Sequence, residues 1–293
     1  MILSSYIRDK QKWINDELTK AVQQLQIPER LKQSMAYSID AGGKRVRPIL
    51  MVATFEAFQK DDTQKLIHPA VALEMIHTYS LIHDDLPAMD DDDYRRGKLT
   101  NHKQFDEATA VLAGDGLLTA AFQVISSSSH LIAEEKVYVM GELSKAAGPE
   151  GMVAGQMLDL QAEKQKLTIE ELETIHKLKT GELIRFAIKT GAYLAGATPP
   201  QIEAVDRYGK CLGLLFQIQD DILDVIGDKN LTGKPIGSDE EKEKSTYPKL
   251  LGLEEAIQKK EAYMREAIQA LSIANIENTI LKDIVEYIGN RNH

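Results

Sequence analysis

The sequence predicts an all-α protein in which central helices are buried inside others. Three observations carry that reading. Apolar residues recur at helical steps: Leu253, Ala256, Ile257, Tyr263, Met264, Ala267, Ile268 and Leu271 fall three and four apart, the pattern of a one-sided amphipathic helix. The segment "AVALEMIHTYSLIH", residues 70–83, holds one charged side chain, Glu74, and a helix apolar nearly all round is a buried one. No regular series of alternating apolar and polar residues marks a set of strands. No linker divides the 293 residues, so they are expected to form a single domain, 1–293.

Each element follows from local signals. The N-terminus, "MILSSYIRDKQKW", lacks a long apolar core and is expected not to be a signal peptide. "AGGKRVRP", Ala41 to Pro48, reads as an exposed turn or as a loop that brings backbone and cations to a phosphate. The helix 70–83 should run to Asp84 and Asp85, because Pro87 disturbs or ends it. Thr168 with Glu171, and Thr198 with Gln201, have capping-box spacing; prolines occupy the first turn after Thr198. "IHKLKTGELIRFA" reads as a helix between them. "FQIQDDILD", Phe216 to Asp224, is a helix in which Gln217, Asp220, Asp221 and Asp224 stand at i, i+3, i+4 and i+7, on one stripe. Gly227 to Pro248 is too charged and glycine-rich to be core; it reads as a solvated loop or a lid over a site.

Composition bounds the function. Apolar residues make up 43% and charged residues 27%, as in a water-soluble globular protein. The balance of 35 basic against 45 acidic residues, net −10, argues against a nucleic-acid binder, which would show a basic face. It leaves anionic small molecules open, since a local cluster or a bound metal reverses the sign within a cleft. Cys211 is the only cysteine, which rules out an internal disulfide and fits the cytoplasm. No apolar run reaches the ~18 residues of a membrane helix, so no membrane insertion is expected.

The chemistry gathers in two acidic motifs. "HDDLPAMDDDDYRRGK", His83 to Lys98, packs six aspartates into the ten residues from Asp84 to Asp93. Asp91 to Asp93 read as a solvated acidic turn; Asp84, Asp85 and Asp90 read as metal-binding. The stripe Asp220, Asp221, Asp224 is either a solvated helix face or a second metal site. Like charges at i, i+4 repel by a few tenths of a kcal/mol, and no lysine or arginine lies between Cys211 and Asp228 to offset them. Crowded oxygen donors suit Mg²⁺, which keeps waters and shares its shell with phosphates. Basic residues supply the complementary anion sites: Lys44, Arg45 and Arg47 after two glycines, Arg95 and Arg96 after the first motif, Lys179 beside Thr180, and Lys234 and Lys244 after the second motif. His77 lies seven residues before Asp84 and shares its helix face, which points to a polar cavity rather than plain core.

In this combination the sequence resembles a trans-isoprenyl diphosphate synthase. "GGKRVRP", "DDLPAMD", "RRG", Gly114–Asp115, "GQMLDL", "KTG" and "DDILD" stand in family order from about Met35 to Tyr247. Within the family it is most similar to the bacterial farnesyl diphosphate synthases, with two extra residues in the first motif and an aromatic, Tyr79, five positions before it. The resemblance implies one large all-α bundle of the isoprenoid synthase type with a deep central cavity, usually a homodimer. It implies Mg²⁺, with Mn²⁺ able to substitute, on Asp84, Asp90 and Asp220, supported by Asp85, Asp221 and Asp224. It implies isopentenyl diphosphate on Lys44, Arg47, His77 and Arg96, and the allylic diphosphate on Arg95, Lys179 and Lys234, with Lys244 reaching in on loop closure. Thr180 and Gln217 would face the carbocation, and Tyr79 would limit chain length to fifteen carbons. A geranylgeranyl diphosphate synthase is the alternative product reading.

Two other classes stay open. A terpene cyclase also ionises an allylic diphosphate over an acidic motif, but it leaves "GGKRVRP" unexplained and would carry Asn, Ser and Glu in its second metal motif. A non-catalytic subunit or cation-binding module need not keep both motifs and the basic set. The role of Arg291, near the C-terminus, is open between closing over the site and plain disorder.

Overall fold

Helical periodicity is realised as helices throughout the described residues. The computed structural model describes residues 3–59, 61–163, 165–226, 245–276 and 279–291. In order come α1 (Leu3–Gln23), α2 (Glu29–Asp40), α3 (Val46–Phe58), a 3₁₀ turn (Thr63–Leu66), α4 (Ile67–Asp84), a hairpin of β1 (Tyr94–Arg95) and β2 (Lys98–Leu99), α5 (Asn101–Gln104), α6 (Glu107–Ser126) and α7 (Ala133–Ala147). Then follow α8 (Met152–Ala162), α9 (Ile169–His176), a π-helical turn (Lys177–Gly181), α10 (Glu182–Leu194), α11 (Pro199–Ile226), α12 (Tyr247–Leu251), α13 (Leu253–Ile273) and α14 (Thr279–Asn290). Two compact units result: Met1–Val52 with Asp61–Glu142, and Ala53–Lys60 with Leu143–His293.

Each unit is built around one buried helix that ends in aspartates. In the first, α4 packs against α1, α2 and α6 and buries Pro69 to Ile76 without a break, then Thr78, Tyr79 and Ile82. It stops at Asp84, with Asp85 as its C-cap, as Pro87 requires. In the second, α11 packs against α9, the π turn, α10, α12, α13 and α14 and buries Leu212, Gly213, Leu214, Leu215 and Ile218 before its acidic end. The face expected on α13 is the one turned inward: Ala256, Ala267 and Leu271 are buried, and Ile257, Tyr263, Met264 and Ile268 half-buried.

Four local features bear on the sequence expectations. Thr168 and Glu171 make the full reciprocal capping box, but Thr198 donates its hydroxyl to Gln201 Oε1 instead of accepting the Gln201 N–H. The end of the charged stretch 227–248 is not loop: Thr246 caps α12, Pro248 sits in its first turn and Tyr247 is fully buried. The "RRG" run makes a two-residue hairpin turn at Arg96 (φ 54) and Gly97 (φ 75), the positive-φ pair that matches strand twist. Helix α6 is long and apolar enough to cross a membrane by length and composition alone; Asp115 stands near its middle and its small-residue face packs on α4.

Candidate active site

In the first unit the aspartates are set by backbone. After α4 ends, the Asp90 N–H donates to the Asp84 carbonyl at 2.9 Å, folding the loop back so that Asp84 and Asp90, both half-buried, sit at one helix end. Asp85 points elsewhere. It is buried, and both its oxygens accept from Arg95 Nε, at 2.7 and 2.9 Å. Burial pushes the Asp85 carboxyl up from its usual range, and Arg95 opposes that rise. Asp85 thus orients Arg95, the side chain expected at the allylic diphosphate.

Arg96 leaves the same hairpin turn and donates to the Gly42 carbonyl. Its guanidinium lies over Gly43, where a Cβ would come within 2.6 Å of Nη1. The glycine pair reads in sequence as an exposed turn or as a place for a phosphate to approach; the space over Gly43 is taken by the Arg96 guanidinium. Arg47 Nη1 lies 3.4 Å from His77 Nε2. Burial, then Arg47, Arg96, Arg45 and Arg95, hold the His77 pKa well below its usual value, so the ring stays neutral. Arg47 Nε is buried without a hydrogen-bond partner. Arg47, His77 and Arg96 therefore come together as expected, with Lys44 exposed on the same loop. A buried donor left open among like charges is the kind of group an anion can satisfy.

Tyr79 is buried, its ring edge-to-face with His83 at 5.7 Å. His83 Nε2 lies 3.1 Å from the Val111 carbonyl and fills the space over Gly114, where a Cβ would stand 2.1 Å from it. Sequence reading passed over His83, although the Gly114–Asp115 motif marked the helix it packs against.

In the second unit Lys179 and Thr180 lie in the π turn. Such a turn inserts an extra residue and is common at functional sites. Two glycines permit it: a Cβ on Gly155 of α8 would meet the Lys179 nitrogen at 2.2 Å, and one on Gly213 of α11 would meet Gly181 Cα at 3.0 Å. Lys179 Nζ pairs with Asp159 Oδ2 at 2.5 Å, and Thr180 Oγ1 donates to Gln217 Oε1 at 2.7 Å. Asp159 went unassigned in the sequence, though "GQMLDL" contains it. These four, with His176 and Asp221, line a cavity of about 160 Å³. Asp221 is turned inward and accepts the Tyr247 N–H at 2.8 Å, so it anchors α12 rather than sharing an open stripe with half-buried Asp220 and Asp224. The missing counter-charge comes from the C-terminus: Arg291 donates to Asp220 Oδ1 and to the Phe216 carbonyl, and lies over the Phe216 ring at 4.3 Å. Lys234 and Lys244 lie outside the described residues.

The donors fit a divalent cation that is not caged by protein. Among the described residues no three of His, Cys, Asp and Glu gather to hold a metal alone. Asp84 and Asp90 stand together at the end of α4, and Asp220 already accepts a guanidinium cation. One or two carboxylates, with water and phosphate oxygens completing the shell, is the way hard cations sit in phosphoryl sites.

The polyprenyl synthetase family model matches residues 28–288. The chain belongs to this family. It is 47% identical over 293 residues to the farnesyl diphosphate synthase of Bacillus subtilis (strain 168), covering 99% of both chains. It is 50% identical over 285 residues to that of Micrococcus luteus, covering 97% of both. A solved geranyltransferase from Legionella pneumophila matches with TM-score 0.85 at 35% identity, over 99% of this chain and 98% of that one. The resemblance and the all-α fold expected from the sequence are those of the polyprenyl synthetases, and the family match runs through both compact units.

Proposed function

We propose that the chain condenses isopentenyl diphosphate with dimethylallyl and then geranyl diphosphate, ending at (2E,6E)-farnesyl diphosphate. One observation carries the reading beyond family membership: Arg47, His77 and Arg96 converge around a buried donor with no partner. That cluster suits a second diphosphate, which a terpene cyclase does not need. The 45–50% identical relatives named farnesyl diphosphate synthase support the product.

The allylic C–O bond breaks, pyrophosphate leaves, and the double bond of isopentenyl diphosphate attacks the allylic carbocation; a proton then passes to the departing pyrophosphate. Mg²⁺, or Mn²⁺ in its place, held by Asp84, Asp90 and Asp220, would supply Lewis-acid neutralisation of the diphosphate. Arg95 and Lys179, oriented by Asp85 and Asp159, donate to the leaving group. The Thr180 and Gln217 oxygens stabilise the cation, and the apolar wall of α4 excludes the water that would quench it. Lys44, Arg47, His77 and Arg96 hold isopentenyl diphosphate, Lys234 and Lys244 assist at the allylic group, and Tyr79 limits the tail.

We read residues 1–293 as one functional domain, working as a cytoplasmic homodimer. The uninterrupted family match supports the first point; exposed Val111, Leu112, Ile132 and Val137, apolar surface that a second copy would cover, support the dimer. The test is pyrophosphate release from each allylic primer with and without isopentenyl diphosphate. Release that depends on isopentenyl diphosphate is expected. Release without it would indicate a cyclase, and no release a binding module.

A further inference from the structure

Arg45 stands in the middle of "GGKRVRP", yet its side chain is only 2% exposed. Its backbone is left-handed (φ 49), a conformation that side-chain-bearing residues seldom adopt. Nε donates to Asn15 Oδ1 of α1 at 2.8 Å, Nη1 to Glu74 Oε2 of α4 at 2.9 Å, and Nη2 to the Ile39 carbonyl at the end of α2 at 2.7 Å. One side chain thus ties three helices to the loop that carries Lys44 and Arg47. Its partner Glu74, also 2% exposed, is the single charged residue of the segment 70–83. Three residues on, along the same helix, is His77, which Arg47 reaches.

Stability does not explain such a pair. Taking two charges out of water costs about as much as their attraction returns, and well-packed apolar residues often do as well or better. Position explains it. The loop must present cations toward one spot while they repel one another, and a rigid three-way fork at its centre prevents it from opening. Glu74 adds a negative charge that acts on both Arg47 and Arg96, partly offsetting the burial and cation repulsion that lower the Arg47 pKa.

We infer that Arg45 and Glu74 are the positioning pair of the isopentenyl diphosphate subsite: they touch no substrate, and fix the loop backbone so that Lys44 and Arg47 converge on one diphosphate. This rests on the function proposed above, which assigns that subsite its ligand.

Steady-state kinetics, with isopentenyl and geranyl diphosphate varied in turn, tests it on Arg45→Lys and on the double variant Arg45→Met with Glu74→Leu. Lysine keeps a charge for Glu74 but loses the fork to Asn15 and Ile39. The double variant leaves no buried charge unpaired, so it should fold even where the single change does not. Both should raise KM for isopentenyl diphosphate about tenfold, the loss of roughly one charge-assisted contact, with KM for geranyl diphosphate unchanged. A folded double variant with the wild-type KM, or an equal rise in both KM values, would overturn the inference. Wild type that fails to turn over isopentenyl diphosphate would sink the proposed function instead. In that case calorimetric titration with inorganic pyrophosphate still reads the loop: weaker binding by the double variant supports the pair, and unchanged binding refutes it.

Discussion

Replacing Arg47 with methionine removes one guanidinium and keeps an unbranched apolar stem in its place. Its Nε is buried without a partner, and its Nη1 lies 3.4 Å from His77. A diphosphate oxygen meeting those donors makes a charge-assisted hydrogen bond worth roughly 1.5–3 kcal/mol. At about 1.4 kcal/mol per factor of ten, KM for isopentenyl diphosphate should rise about 10- to 100-fold, with the allylic KM unchanged. His77 gives a second readout. After burial, Arg47 is the largest influence lowering its pKa. Without Arg47 that pKa should climb toward the ordinary value near 6.5, short of it because burial and Arg96, Arg45 and Arg95 remain. The stability consequence has a definite sign. A depressed folded pKa means the unfolded chain takes the proton first, so stability is full above about pH 6.5 and declines as pH falls from there toward the folded pKa. Arg47→Met narrows that gap, so acidification should cost the variant less. Steady-state kinetics, NMR titration of the His77 ring and urea unfolding near neutral and mildly acidic pH measure all three. A folded variant with wild-type KM for isopentenyl diphosphate, or with an unmoved or lower His77 pKa, would refute the reasoning.

Three further outcomes follow from the geometry. Asp84→Ala and Asp220→Ala should each lower kcat by several orders of magnitude while circular dichroism stays that of wild type; near-full turnover by either variant would remove that residue from the metal site. Tyr79→Ala should lengthen the product to twenty carbons or more, read by chromatography of dephosphorylated products, and cost up to about 3–5 kcal/mol through the cavity left by a buried ring; a product still ending at fifteen carbons would put the floor elsewhere. Gly155→Ala places a Cβ 2.2 Å from the Lys179 backbone nitrogen, so it should lower both Tm and kcat by forcing α8 off the π turn; a neutral effect would show that the turn gives way.

What could be read in advance was local. A single charge in fourteen residues reported that α4 is buried, and the i, i+3, i+4 steps reported the inward face of α13. The side chains that position the site were not legible in the same way, because their partners are remote in sequence. Arg45 meets Glu74 across 29 residues, Thr180 meets Gln217 across 37, and Asp220 meets Arg291 across 71. The uncompensated charge on "DDILD" was visible, but its remedy came from the other end of the chain. Gly43 was read through what glycines offer a phosphate, whereas the space it leaves belongs to Arg96. Asp221 looked equivalent to its neighbours by spacing; its burial depends on α12, which begins in a stretch too polar to suggest core.

The most direct test of the central claim is the product itself. Purified chain, Mg²⁺, isopentenyl diphosphate and geranyl diphosphate should give an all-trans fifteen-carbon diphosphate, with turnover abolished by chelation and absent when isopentenyl diphosphate is left out. A predominantly twenty-carbon product would contradict the assignment of Tyr79 as the floor, and turnover of geranyl diphosphate alone would contradict the condensation.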